Sequence, residues 1–283
     1  MDELTAIGRA RRLVESLLSA PIDVAALVAA HGMEVRESDL LGDGEAGNTF
    51  RKGGKTFIVI NKNDDPYRRR FTALHELGHH ILDLPSNHEA RILSNELERF
   101  VGRPIEERLC DVFAAECLVP WHLIRPLVAD APFSLDVLHQ LSERFQASRP
   151  CIASSFVRAS KDLVAYVFAE GGRVQNVVTS ASLRDARVFV QSGMIPSTSA
   201  AALALANGTS SETAELDGSD WSSSDLATHF TCYEEVLHIR TWKQTLSLLT
   251  FERIGRSRHD LDSKTEQDEL LRELTGQLPW PKR

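Results

Sequence analysis

The sequence predicts an α+β protein arranged in consecutive parts. A mostly helical unit with a small sheet covers 1–125, a helical block 126–160, an α/β unit 161–256, and a charged tail 257–283. Three observations predict this order. Apolar residues recur at helical spacing through most of the first 160 positions. One glycine-marked hairpin signal interrupts them at Gly53-Gly54. From Leu163 onward the pattern changes to short alternating or continuous apolar runs, as strands require. With 283 residues, 42% of them hydrophobic and 25% charged, the chain can bury substantial cores.

Residues 5–19 and 23–30 have helical periodicity and are divided by Pro21, with Asp23 placed to cap the second helix. Gly32 closes that helix, and 33–38 read as a short strand. The stretch 41–55 is rich in turn residues, and the run 56–60 behind Gly53-Gly54 reads as the buried second strand of a hairpin. A polar turn over 61–66 leads into a strong helix at about 68–84, which Pro85 stops. Residues 89–100 are moderately helical; Pro104 then restarts the chain into a helix reaching about Leu118, ended by Pro120. Within 121–160, two short amphipathic segments meet near Ala147 and Ser148. They have the outline of a degenerate helix-turn-helix, but few basic residues line them, which favours a packing layer. Beyond 163, the runs 163–169, 174–179, 186–190, 234–240 and 244–252 read as strands, divided by a Gly/Ser/Thr/Asp-rich loop at 207–225.

Composition excludes several classes of function. Lys plus Arg number 32 against 40 for Asp plus Glu, a formal charge of -8. An acidic chain is a poor sequence-independent binder of phosphate backbones, and only 7% aromatic content argues against base stacking. No direct sequence-specific nucleic-acid binding is expected. The first twenty residues are acidic at positions 2 and 3 and lack an apolar h-region, so they read as an amphipathic helix and not a signal peptide. No apolar run approaches the roughly 18 residues of a membrane span. The four cysteines, Cys110, Cys117, Cys151 and Cys232, show no CxxC spacing and read as reduced thiols. The expectation is a cytoplasmic protein that does not engage a membrane.

Chemistry concentrates at His75-Glu76-Leu77-Gly78-His79, a His-Glu-x-x-His pattern inside the strong helix. Residues four apart share a helix face, so the imidazoles of His75 and His79 can converge on one ion. Glu76 lies about 100° around the helix from His75 and about 60° from His79, close enough to flank the ion without ligating it. Two neutral imidazoles and an adjacent carboxylate base are what zinc-assisted hydrolysis needs. Apolar Phe71, Leu74, Leu77 and Leu82 bury this helix, which argues against a merely surface pair of histidines. A third ligand cannot follow the longer HExxHxxGxxH spacing, because position 82 is Leu and position 85 is Pro. The helix after Pro104 offers Glu106, Glu107, Asp111 and Glu116. Glu107 is favoured over Glu106, since Asp111 one turn on shares its face and can orient a ligating imidazole from behind. Glu89, Glu96 and Glu98 read as solvated helix charges, and Asp83 as a helix-end residue. A structural zinc site with Cys110 ligation is the weaker reading, because no finger pattern surrounds it.

The run Arg70-Phe71-Thr72-x-x-His75-Glu76-Leu77-Gly78-His79-His80-Ile81-Leu82 resembles the metallopeptidase domain of the ImmA/IrrE family. So does Glu107-x-x-Cys110-Asp111-x-Phe113-Ala114-Ala115-x-x-Leu118-Val119-Pro120, and the strand 57–60 fits as well. The resemblance extends over roughly 5–160. It implies a gluzincin-type cytoplasmic protease with His75, His79 and Glu107 as metal ligands and Glu76 as general base. It also implies a helix-turn-helix-like block, and a protein substrate that is itself a helix-turn-helix transcriptional repressor, cut at one site after stress or during mobile-element induction. The implied metal is Zn²⁺, with Mn²⁺ as the alternative in vivo. A GAF-like domain is the family's precedent for the region after 163. Two positions depart from the family pattern: Tyr67 stands where relatives often carry an acid, and Cys110 where alanine is common.

For such a reaction the oxyanion needs a donor besides the metal, and Tyr67, His80 and His122 are the candidates. Substrate backbone adding to the edge of the sheet that contains 57–60 makes Val59, together with Tyr67, an expected substrate contact. The competing reading from another class is a metal-dependent sensor or binding module whose peptidase site is shut. The separate region after 163 suits either reading.

Overall fold

The computed structural model describes residues 1–42, 45–85 and 104–255. The helical segment expected at 89–100, with Glu89, Glu96 and Glu98, and the tail from 257 lie outside these residues. The fold is α+β with two sheets, as the sequence predicts.

Helices α1 (Glu3–Val14) and α2 (Val24–Ala29) open the chain, each started by an aspartate that accepts a backbone N–H: Asp2 from Thr5, Asp23 from Ala26. Strands β1 (Met33–Ser38), β2 (Gly47–Lys52) and β3 (Lys55–Asn61) form the first sheet in the order β1-β3-β2. Gly53 and Gly54 both take positive φ, 59° and 76°, as the two-residue turn between β2 and β3 requires. Helix α3 (Pro66–Leu82) starts with Pro66 behind the capping side chain of Asp65 and ends at Asp83 in the left-handed conformation. It begins and ends about two residues earlier than the sequence suggests. Helix α4 (Ile105–Leu118) packs against α3 through Leu109, Cys110, Phe113, Ala114 and Cys117, all buried.

The helical block comprises α5 (Trp121–Val128), α6 (Leu135–Phe145) and α7 (Arg149–Ala159). Leu138, Phe145, Ile152, Ala153, Phe156 and Val157 are fully buried in the same core as α3 and α4, so the block is a packing layer in this fold.

The second sheet is antiparallel throughout. It contains β4 (Val164–Glu170), β5 (Arg173–Thr179), β6 (Ser211–Asp217), β7 (Phe230–Ile239) and β8 (Gln244–Arg253) in the order β5-β4-β8-β7-β6. One face supplies Val164, Tyr166, Leu246 and Leu248 to the core of the helices. The other carries α8 (Ala181–Asp185), α9 (Ala200–Asn207) and α10 (Gly218–Trp221). Glu234 binds that layer: its buried carboxylate accepts from Ala200 and Ala201 at the start of α9, from the Trp221 indole and from the Ser247 hydroxyl. Burial raises its pKa against the opposing pull of these donors.

Two local expectations need correction. The run 186–190 is not a strand: Arg187 takes a φ of 58°, which breaks extension, and Val190 makes an isolated bridge to Ser222. The polar stretch 207–225 is not simply a loop, because it contains β6 and α10. As an edge strand β6 alternates exposed and half-buried positions and needs few apolar residues.

Candidate metal centre

One turn of α3, from His75 to His79, and the facing helix α4 fix the geometry of the site. His75 and His79 lie one turn apart with their Nε2 atoms 3.1 Å from each other. Helix α4 brings Glu107 across, Oε2 to 3.3 Å from His75 Nε2 and Oε1 to 3.4 Å from His79 Nε2. The three ligand atoms lie within 4.8 Å of one another, and all three residues are buried. Two imidazole nitrogens and one carboxylate oxygen on buried residues are a donor set suited to a divalent transition ion with an open position. His75 Nδ1–H donates to Asp111 Oδ1 at 2.9 Å, leaving Nε2 directed at Glu107.

The electrostatics agree with a cation site. Burial opposes protonation of His75, yet hydrogen bonds to Asp111 and Glu107 and the nearby charges push its pKa up to about 9. Burial likewise acts against ionised Glu107, but the two imidazoles hold its carboxyl well below the usual carboxylate range. Positive charge is favoured at this point, whether a proton or a metal ion brings it.

Glu76 is only 1% exposed, and it is held from the strand side: Thr49 Oγ1 donates to its Oε2 at 2.8 Å. Sequence reasoning missed Thr49, which stands in a stretch read as turn. Two glycines allow the elements to close this far. A Cβ on Gly47 would lie 2.6 Å from the Thr72 methyl and 2.8 Å from the Val59 carbonyl oxygen, so only glycine lets β2 lie so close to α3 and β3. A Cβ on Gly78 would lie 3.1 Å from the Phe113 ring, which sets the approach of α3 to α4.

Other candidates fall elsewhere. Glu106 is half-buried and outside the converging group, and Cys110 is packed beside Gly78. Tyr67 begins α3, about 12 Å along the axis from His75 at eight residues' rise, and lines a large cavity with Phe71 and Asp111. His80 is exposed. His122 is committed elsewhere, donating through Nε2 to the Leu17 carbonyl at 2.7 Å, so it ties α5 to the segment after α1 and is corrected as an oxyanion donor. Val59 is also corrected. It lies in the central strand β3, paired with Arg36 on one side and Asn48 on the other, and has no free backbone edge; the edge strand beside Glu76 is β2.

Comparison with known proteins places this geometry. The chain is 29% identical over 174 residues to the radiation response metalloprotease IrrE of Deinococcus radiodurans, a match taking in 53% of this chain and 52% of that protein. The chain therefore spans about half the length of that curated relative. A solved structure of a Mycobacterium tuberculosis transcriptional regulator is similar with a TM-score of 0.58 at 14% identity, over 87% of this chain and 76% of that one, a likeness of fold. Residues 28–154, which carry α3, α4 and the converging His75, His79 and Glu107, match the family model of the IrrE N-terminal-like domain, so this region is similar to that metallopeptidase domain.

Proposed function

We propose that the protein is a zinc-dependent cytoplasmic endopeptidase that cuts a single protein at one site, a helix-turn-helix transcriptional repressor whose loss relieves repression under stress. The observation that carries this reading is the buried convergence of His75, His79 and Glu107 with Glu76 beside them. The relative named as a radiation response metalloprotease supports the stress assignment. In this reading residues 1–125 perform the chemistry, while 126–160 and 161–256 select the substrate and the occasion.

His75, His79 and Glu107 would hold the ion, which when bound supplies Lewis acidity to the scissile carbonyl. Asp111 keeps His75 in the required tautomer. Glu76 takes a proton from the attacking water and returns it to the departing amine. Thr49 donates to one Glu76 oxygen and so helps to orient the carboxylate. An extended substrate segment adds its backbone to the free edge of β2, within reach of Glu76.

The test compares cells making the wild type with cells making Glu76→Gln, before and after genotoxic or oxidative stress, by cataloguing new protein N-termini. One dominant terminus inside a small DNA-binding protein, absent with the variant, is the expected result. Many scattered termini would replace site-specific cleavage by general peptidase activity. Equal termini from two folded, metal-loaded proteins would overturn the reading in favour of a metal-dependent sensor. Elemental analysis of the same purified proteins decides between zinc and manganese.

A further inference from the structure

Thr49 of β2 faces Glu76 on α3, and side chains alternate along a strand, so Phe50 and its cross-strand partner Phe57 stand on the opposite face of the first sheet. Three side chains form a row there. Arg36 of β1 lies over the Phe57 ring of β3, its guanidinium carbon 4.1 Å from the ring centroid. Phe57 stacks on Phe50 of β2, with centroids 5.2 Å apart and planes 23° from parallel. Phe57 is buried, whereas Phe50, the last member of the row, is 38% exposed at the edge of the sheet. We propose that Phe50 is a specificity-determining residue, which receives a large apolar side chain, aromatic or aliphatic, from the substrate segment that pairs antiparallel with β2. The inference rests on the protease reading above and names what that site selects.

The hydrogen-bond register carries the argument. The Ala46 carbonyl accepts from Asn61 N–H, so Ala46 turns its backbone groups toward β3, and by alternation so do Asn48, Phe50 and Lys52. Thr49 and Arg51 then turn their N–H and C=O outward, and among the described residues no strand pairs with that edge. An added segment exchanges its backbone bonds with Arg51 and with Thr49, whose hydroxyl holds Glu76. The residue it places between them, opposite Phe50, falls in a non-hydrogen-bonded pair. Such pairs bring Cα atoms to about 4.5 Å, the closest side-chain approach an antiparallel sheet offers. The side chain that meets Phe50 therefore sits one residue from the backbone held beside Glu76.

The chemistry of that position is apolar. Aromatic rings pair across strands with other rings and with β-branched side chains, so the row from Arg36 through Phe57 to Phe50 continues naturally onto a fourth strand. Open edges are ordinarily guarded by charge. The other edge of this sheet, β1, carries Glu34, Arg36 and Glu37. The middle of β2 is uncharged, Asn48-Thr49-Phe50, with Arg51 and Lys52 set at its turn end. Phe50 is also not among the side chains packed on the core that Ile58 and Ile60 join, so the core does not account for an aromatic residue there.

The test uses the full-length, metal-loaded wild type with Phe50→Ala, Phe50→Tyr and Phe50→Lys, matched for bound zinc and circular dichroism. The probe is the purified protein that carries the dominant new terminus in cells, with each residue near the cut replaced in turn by alanine and by glutamate. Phe50→Ala should lower kcat/KM at least fivefold, chiefly through KM, and Phe50→Tyr should stay within twofold of the wild type. One large apolar substrate position should be coupled to residue 50: its alanine variant slows the wild type at least fivefold but slows Phe50→Ala little further. At that position Phe50→Lys should cut the glutamate variant faster than the wild type does. Wild-type kinetics in Phe50→Ala, or losses that add at every substrate position with no coupled one, overturn the assignment of Phe50. Absence of any terminus from the wild type in cells is a different failure, that of the protease reading and of the substrate contact built on it.

Discussion

Thr49 shows how a single side chain can matter to a site without touching the metal. Its hydroxyl holds one oxygen of the buried Glu76 at 2.8 Å, and in the role proposed for Glu76 a general base must be aimed as well as present. Thr49→Val keeps the shape of the strand residue but removes the donor, so the proposed base loses this hold on its orientation. Steady-state kinetics on the cleaved substrate should show kcat lowered about tenfold with KM little changed, the pattern of an interaction that serves the transition state. Thr49→Ser should restore most of the rate; a Thr49→Ser enzyme as slow as Thr49→Val would mean that packing by the methyl matters and the hydroxyl does not. The His75 and His79 pair was legible in the sequence because a four-residue spacing within one helix is a local rule. Glu107 was legible through its spacing to Asp111 on a second helix. Thr49 was not, because its contact with Glu76 spans 27 residues and depends on how the hairpin settles on α3.

Among the elements, local rules gave the helices and tertiary pairing gave what was missed. Asp23 and the glycine pair at 53 and 54 mark boundaries by chemistry that acts within three or four residues, and the structure uses both as read, whereas Pro66, read as the end of a polar turn, is the first residue of α3. The parallel pairing of β1 with β3 has no such local mark, and it buries β3 in the centre of the sheet, leaving β1 and β2 as its edges. Strand β6 escaped notice because an edge strand tolerates the polar sequence Ser-Glu-Thr-Ala-Glu-Leu-Asp. The same reasoning singles out Gly47 as the residue on which the β2 position depends. In Gly47→Ala the new methyl meets the Val59 carbonyl and the Thr72 methyl well inside contact distance, and a backbone oxygen cannot swing aside. The strand must move off α3, at a cost of about 1–3 kcal/mol as in other overpacked sites. Denaturant titration should show the lower midpoint, and activity should fall further than stability alone explains because Thr49 travels with the strand. An alanine variant with an unchanged midpoint would show that β2 has room to relax.

On the scale of the whole molecule, one core runs from α1 through the helical block and onto the inner face of the second sheet, so the parts read separately in the sequence are packed together. That continuity was not legible, because the switch from helical to strand periodicity at 163 marks a change of element type and carries no information about which faces meet. It also bears on what the metal does for the fold. The helices that carry the ligands are already held by Leu74, Leu77, Phe113 and Ala114, all fully buried, so α3 and α4 do not need an ion to stay together. The metal should therefore add to a fold that persists without it, unlike a zinc finger, which is unfolded when stripped. An ion present at 100 to 1,000 times its Kd stabilises by about 2.7–4.1 kcal/mol through mass action. Stripping the protein with a chelator should lower the melting temperature by several degrees while leaving the helical circular dichroism at 25 °C intact, and adding back Zn²⁺ should restore it. His75→Ala, which removes a ligand, should melt at the same temperature with and without added zinc. Loss of the helical signal on chelation would instead make the ion part of the core, and a melting temperature indifferent to zinc in the wild type would show that the three converging residues do not bind it.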